Sequence, residues 1–356
     1  MHGDEHSPAA IDRPRQRGSS RRRFKAATWG TRALFGAAAL GALQFVHAPA
    51  APTRPFARFA QPRAWASADA FGASREVKLR FALPGQRVEF PLAVAGDPST
   101  LSYQWVPITD SVLVSEPLPL LGSTLEVPAL PGFYQLTLIR RGAGDDTTVT
   151  RERVAEPTLA VMVPFTAKAG SFLNGYRIGT YLAERFAGER DEPQGFLQVG
   201  PAEAGLSVSR HFRLSDFITH DAQADVWPKY VALDPRLLDK LELIVTEVAR
   251  MRGVPPDSTL ELDVHSGFRT PAHNAGVQRA ARDSRHQYGD AADVVIDADG
   301  DGRITRADSR LVESAVEVVE SQHPELVGGL GLYTSERYRT PYVHIDARGR
   351  RSRWRG

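Results

Sequence analysis

Two segments of this chain constrain its fold more than any other feature: Ser284-Arg285-His286-Gln287-Tyr288-Gly289-Asp290-Ala291-Ala292-Asp293, and later Tyr342-Val343-His344-Ile345-Asp346. Two imidazoles and a carboxylate are ligand types that zinc accepts in hydrolytic sites, where three protein groups leave one tetrahedral position for water. Residues 291–296 run small then β-branched, which predicts a buried strand with Asp293 near its start and His286 on the loop that feeds it. Gly289 allows the tight turn between them. Residues 341–347 also read as a strand, and a period of two puts His344 and Asp346 on one face. Two neighbouring strands can thus aim three ligands at one point. Taken singly, His286 reads as a surface histidine, Asp293 as a strand-initial cap and His344 as a core residue.

The surrounding sequence carries a resemblance. Ser266-Gly267-Phe268-Arg269-Thr270-Pro271, then Asn274, Ser284-x-His286-x-x-Gly289-x-Ala291-x-Asp293, Gly329-x-Gly331-x-Tyr333 and Val343-His344-x-Asp346-x-Arg348 follow in order. This series resembles the zinc D-alanyl-D-alanine carboxypeptidases and peptidoglycan endopeptidases, whose fold is shared with the Hedgehog signalling domain. It reaches upstream to His211-Phe212-Arg213-Leu214-Ser215-Asp216-Phe217 and covers roughly residues 205–354. The resemblance implies that His286, Asp293 and His344 bind zinc, that Arg269 contacts substrate or a developing oxyanion, and that Ser284 and Tyr288 contact substrate. Many members carry an acidic general base three positions before the last histidine, and here that position is Pro341. Asp346 is the nearest carboxylate on the inferred face; Glu336, in the preceding loop, is a second candidate.

A chain of 356 residues has room for two folded domains and an extension. Its net charge of +2 implies no whole-molecule attraction to nucleic acid. The absence of cysteine excludes disulfides, thiolate zinc sites and thiol catalysis together, and suits an exported protein. Residues 1–54 read as targeting: Arg21-Arg22-Arg23-Phe24-Lys25 precedes an apolar run from Ala33 to Val46, and Ala48-Pro49-Ala50 offers a cleavage site. At 1.5 Å per residue that run covers roughly 21 Å, short of the ~30 Å of a hydrocarbon core. The paired arginines and weakly apolar core resemble a twin-arginine signal. An uncleaved anchor over residues 26–46 is the alternative, and export to the periplasm or cell envelope is the expectation in both cases.

Residues 55–75, rich in Ala, Pro and Arg, read as a linker. From 76 to 156, short alternating runs such as Val77–Phe81, Tyr103–Trp105 and Tyr134–Leu138, separated by turn residues, predict an immunoglobulin-like β-sandwich with Trp105 in its core. Tyr134, after Pro131-Gly132, resembles the tyrosine corner of such folds. Residues 157–204 read as a junction. The expected class is α+β: the sandwich, then a zinc domain over 205–356 with an antiparallel sheet and flanking helices.

Within that domain, Asp234-Pro235 opens a helix whose Leu237, Leu238, Leu241, Ile244, Val245 and Val248 recur at helical spacing. Residues 260–264 predict a strand that delivers Arg269. The run from Asp297 to Asp308 places Asp297, Asp299, Asp301, the Arg303 carbonyl and Asp308 at ligand positions of a twelve-residue EF-hand-type calcium loop, with Gly302 at the turn. Aspartate replaces the usual final glutamate, and the element before the loop reads as a strand. The Arg-rich tail, 348–355, reads as a solvated end or a contact for anionic wall polymer or membrane surface, with Trp354 folding back over the last strand.

The expectation is a monomeric, exported zinc peptidase acting on the peptide stem of peptidoglycan at or near D-Ala, as carboxypeptidase or endopeptidase. In it Asp346 takes a proton from water and Arg269 offsets charge on the tetrahedral intermediate. The competing expectation is a non-catalytic wall-binding protein that keeps the metal fold without its base. A calcium-dependent adhesion module built on the sandwich is a third.

Overall fold

The computed structural model describes residues 64–356 except 96, 110–114, 143–146, 187–190, 256–261, 336, 337 and 339. The expected export signal or anchor, the first part of the linker and Glu336 lie outside the described residues. Among the described residues, no helix is long and apolar enough to cross a membrane.

The first half is all sheet: β1 (Ala66–Ala68), β2 (Leu79–Ala82), β3 (Arg87–Glu89), β4 (Leu92–Val94), β5 (Leu101–Pro107), β6 (Leu118–Pro119), β7 (Thr124–Glu126), β8 (Gly132–Arg141) and β9 (Val149–Val161). Its main sheet has the order β2-β9-β8-β5-β6, and β3-β7 and β1-β4 form two-stranded ribbons. Alternation does what a period of two demands: Leu101, Tyr103 and Trp105 of β5 point into one core, with Leu136 and Leu138 of β8 and Leu125 of β7. The Trp105 indole N–H donates to the Glu126 carbonyl at 2.7 Å, and the Tyr134 hydroxyl donates to the Leu130 carbonyl at 2.9 Å.

The end of the expected linker is structured. β1 pairs with β4 from Ala66↔Val94 to Ala68↔Leu92, and the amides of Ala73 and Ser74 donate to the Asp239 carboxylate at 2.8 Å. Nothing local announces this strand, because an Ala/Ser run owes its conformation to a partner distant in sequence.

The second half contains β10 (Val163–Pro164), β11 (Phe172–Leu173), β12 (Tyr176–Arg177), β13 (Gly195–Val199), β14 (Lys229–Val231), α1 (Pro235–Arg252), β15 (Leu262–Ser266), α2 (Pro271–Asn274), β16 (Ala291–Ile296), α3 (Arg306–Gln322), β17 (Gly329–Tyr333), β18 (Tyr342–Asp346) and β19 (Ser352–Arg355). The α1 N-cap is Asp234, whose side chain accepts from Arg236 N, and its six expected apolar residues are all buried. The α3 helix starts at Arg306, inside the expected calcium loop, because Thr305 and Asp308 form a capping box.

A five-stranded sheet ordered β15-β16-β18-β17-β19 organises this half; only β17 and β19 run parallel. Its two faces differ completely. Ala292, Val294, Ile296, Val343, Ile345, Leu330 and Leu332 share a core with Leu241, Ile244 and Val248 of α1 and Val312, Val316 and Val319 of α3. The other face carries Asp293, Tyr342, His344, Asp346 and Tyr333. The same core extends into Val77, Leu79, Phe133, Ala160 and Met162 of the first half. The chain is thus a mixed α+β protein in which sheet predominates.

Candidate metal centre

Register places the charged side chains. Across the sheet, Ser266 stands opposite Asp293, Asp293 opposite His344, His344 opposite Gly331, and Gly331 opposite Trp354. Residues opposite one another share a face, so Asp293 and His344 are neighbours by construction. His286 enters from a 3₁₀ turn, Arg285–Tyr288, that Gly289 ends at φ 74°. A Cβ on Gly289 would lie 2.1 Å from the Ala232 carbonyl oxygen, so only glycine fits there. The Arg269 amide donates to the His286 carbonyl at 3.0 Å and ties this turn to the loop after β15.

The three expected ligands converge. His286 Nε2 lies 3.2 Å from Asp293 Oδ1 and 3.2 Å from His344 Nδ1, and His344 Nδ1 lies 2.9 Å from Asp293 Oδ1. All three side chains are buried. Ligands about 2.0–2.2 Å from a tetrahedral zinc stand roughly 3.3–3.5 Å from one another, so the triangle fits such an ion with small adjustment. The donor set agrees: three lone pairs facing one another in a desolvated pocket repel unless a proton or cation lies among them. His286 Nδ1 faces the Gly267 carbonyl at 2.7 Å; a carbonyl only accepts, so Nδ1 carries the proton and Nε2 is free for a cation. Burial holds the His286 pKa below the ordinary imidazole value, keeping the ring neutral. For His344 burial acts downward too, but hydrogen bonding to the Asp293 and Asp346 carboxylates outweighs it and the pKa is raised. Asp293 is held well below the carboxylate range, since the two imidazoles overcome its desolvation.

Asp346 occupies a different place from the one expected of a proton acceptor. Its Oδ2 lies 3.2 Å from His344 Nε2, on the far side of the ring from the triad. Arg348 Nε reaches both carboxylate oxygens at 2.9 Å, the Gly329 amide donates to Oδ1 at 2.7 Å, and the residue is wholly buried. Burial raises its pKa, but these donors more than reverse the effect, and the carboxyl stays far below its usual range. The period-two argument put Asp346 on the correct face but could not say which imidazole nitrogen it would meet.

Arg269 also turns inward: Nη2 donates to Asp293 Oδ2 at 2.5 Å and Nε to Ser266 Oγ at 2.8 Å. Ser284 lines the cleft above the triad. Tyr288 is not among the cleft-lining residues. Its hydroxyl donates to Asp283 and its ring packs on Tyr181 beneath the Arg285 guanidinium. The cleft, about 690 Å³, is walled by aromatics that the sequence did not single out as a group. Tyr333 and Tyr342 stack at 4.4 Å, 7° from parallel, and Tyr338 meets both edge-on. Their signal was present, since Tyr342 and Tyr333 share the period-two face of the metal row.

In the acidic loop, Asp297, Asp299 and Asp308 place one carboxylate oxygen each within 4.8 Å of the others. Asp301 is not in that group; its Oδ1 accepts from the Arg303 amide at 2.8 Å. The loop carboxylates are largely bound by backbone N–H groups: Gly300 and Gly302 donate to Asp297 at 2.8 Å, and Asp299 donates to Asp308 at 3.0 Å.

Comparison with protein-family models, curated proteins and solved structures returned no match to this chain.

Proposed function

We propose that this chain is an exported zinc-dependent peptidase of the D-alanyl-D-alanine carboxypeptidase and peptidoglycan endopeptidase kind. One observation carries the reading: His286 Nε2, Asp293 Oδ1 and His344 Nδ1 meet within 3.2 Å at the floor of an open cleft. The motif order through Ser266–Asp346 supplies the substrate class, the peptide stem of peptidoglycan, and the sheet backed by α1 and α3 is compatible with the Hedgehog-like arrangement. The buried Trp105 and the Tyr134 hydroxyl bond support an immunoglobulin-like first half.

Bound zinc supplies Lewis-acid activation of water and of the scissile carbonyl. The chain's own residues hold that chemistry in place. His286 and His344 present one nitrogen each while Gly267 O and Asp346 fix the other, and Arg269 pins Asp293 by its outer oxygen. Asp346 is therefore assigned an orienting role, and the proton acceptor falls to the sequence's second candidate, Glu336, which lies between Tyr333 and Tyr342 in the sequence and outside the described residues. Ser284 and the tyrosine wall face the substrate. We assign Ca²⁺ to the 297–308 loop through Asp297, Asp299 and Asp308, where it stiffens the link between β16 and α3.

Incubation of the purified protein with defined cross-linked and linear stem peptides tests this. Products released by the parent, absent with chelator and absent in His286→Ala, are the expected result. One observation favours a second reading, a wall-binding protein without turnover: Asp346, the carboxylate against His344, is wholly engaged, and Pro341 offers none. Metal bound at one equivalent with peptides intact would establish it.

A further inference from the structure

We infer that the C-terminal strand is a working part of the metal centre, with Trp354 as the residue that positions His344. This rests on the reading of His286, Asp293 and His344 as metal ligands. The strand β19 lies parallel to β17 with Gly329↔Ser352 through Leu332↔Arg355 in register, and its alternation sorts the side chains by function. Arg353 and Arg355 point to α3: Arg353 reaches Glu317 at 2.8 Å and Glu320 at 2.5 Å, and Arg355 reaches Glu313 at 3.0 Å. Arg351 also pairs with Glu317. Arg351 and Arg355 remain exposed while paired with α3 glutamates, in keeping with the solvated end expected from the sequence, and of the three only Arg353 is partly buried.

Trp354 points the other way. Its indole lies against the His344 ring, centroids 5.2 Å apart, donates Nε1–H to the Tyr333 hydroxyl at 2.9 Å, and packs 5.8 Å from the Arg348 guanidinium. Arg348 in turn holds Asp346, which holds His344 Nε2. The indole therefore touches the imidazole itself and the guanidinium that holds the carboxylate behind it. It can do so only because residue 331 is glycine: a Cβ there would lie 2.4 Å from the indole. Without the ring, His344 keeps its polar contacts with Asp293 and Asp346 but loses the tilted indole packed against it, and the imidazole can turn away from Asp293.

Zinc affinity of the parent, Trp354→Ala, Trp354→Phe and Gly331→Ala, read by competition with a chromophoric chelator, tests this, with the absorption spectrum of the cobalt(II) form as second readout. Gly331→Ala displaces the indole while keeping it. The expected result is a loss of about 10–100-fold in affinity for Trp354→Ala and Gly331→Ala, with most of it restored in Trp354→Phe, and a changed cobalt spectrum in the first two. A purely structural role would lower the melting temperature of the chelator-treated variants and leave affinity and spectrum alone at 25 °C, which overturns the inference. A parent that binds no zinc overturns both this and the metal reading; a parent and Trp354→Ala that bind equally overturn this alone.

Discussion

Among the described residues, two clusters of acidic and imidazole groups could hold a cation, and they are built on opposite plans. The triad draws His286, Asp293 and His344 from three separate elements, and their ligand atoms face one another. The 297–308 loop draws its carboxylates from one contiguous stretch, and those carboxylates face the loop's own N–H groups. The first cluster is unfinished without a cation or proton; the second closes by itself. The number of acidic residues is therefore a poor guide to cation dependence. What matters is how many of their lone pairs the fold has already used.

Substitution His286→Ala is expected to remove zinc and lower peptidase rate by at least ~10³-fold, because several kcal/mol of transition-state stabilisation leave with the metal. Metal analysis together with product quantification checks this; retained zinc would sink the triad. Glu336→Gln is expected to cut rate by about 10²–10⁴-fold with zinc still at one equivalent, the mark of a general base. Asp346→Asn should instead weaken zinc by about 10–100-fold. An Asp346→Asn protein with parental zinc affinity and no turnover would return this carboxylate to the role of base.

In the acidic loop, Asp308→Ala is expected to cost about 1 kcal/mol even in calcium-free buffer, because its carboxylate caps α3 through Thr305 N at 2.6 Å. Thermal melts in chelator check it. Adding Ca²⁺ should raise the parent melting temperature by only a few degrees and leave Asp299→Ala unmoved.

The smallest effect is the pH profile of zinc-stripped protein. Asp293 and Asp346 have depressed pKa values, so their stabilisation is full above the ordinary carboxylate value near 3.9 and is lost as pH falls towards the folded values. His344, raised, stabilises fully below about pH 6.5 and loses this as pH rises through its folded pKa. His286, lowered, costs stability below about pH 6.5, and that cost disappears as pH rises from its folded pKa to the ordinary imidazole value. Melting temperatures should thus fall steeply below about pH 4 and pass through a maximum near pH 6.5; stability that does not decline as pH rises above about 6.5 would mean that His344 is not raised.

Much of the site was legible because its signals are local. The β-branched run after Ala291, the alternation through Tyr342–Asp346 and the glycine after Tyr288 each report backbone shape within a few residues. Asp346's place behind His344 was not legible, since it depends on ring orientation, and that is set by Trp354 from β19 together with Arg348 in the turn after β18. Trp354 itself was expected to fold back, but its seat on Gly331 needs the parallel pairing of β17 and β19, which no period announces. The first half followed the same division: β5 and β8 came from alternation, whereas β1 has meaning only beside β4. In the acidic loop the spacing was readable, yet the early start of α3 was not, because Thr305 and Asp308 serve the helix as caps as well as the loop.

The Val77–Ser209 bridge, the Lys78 amide donating to Val208 at 2.9 Å, and a single apolar core that takes in Ala160 and Met162 as well as Phe196, Phe212 and Leu237 sew the two halves along a common hem. A protein chemist who trims the chain to residues 205–356, where the motif series begins, therefore cuts through fabric and not along a seam. The shortened product is expected to bare that apolar edge and precipitate, while a version that begins ahead of Trp65 stays in solution.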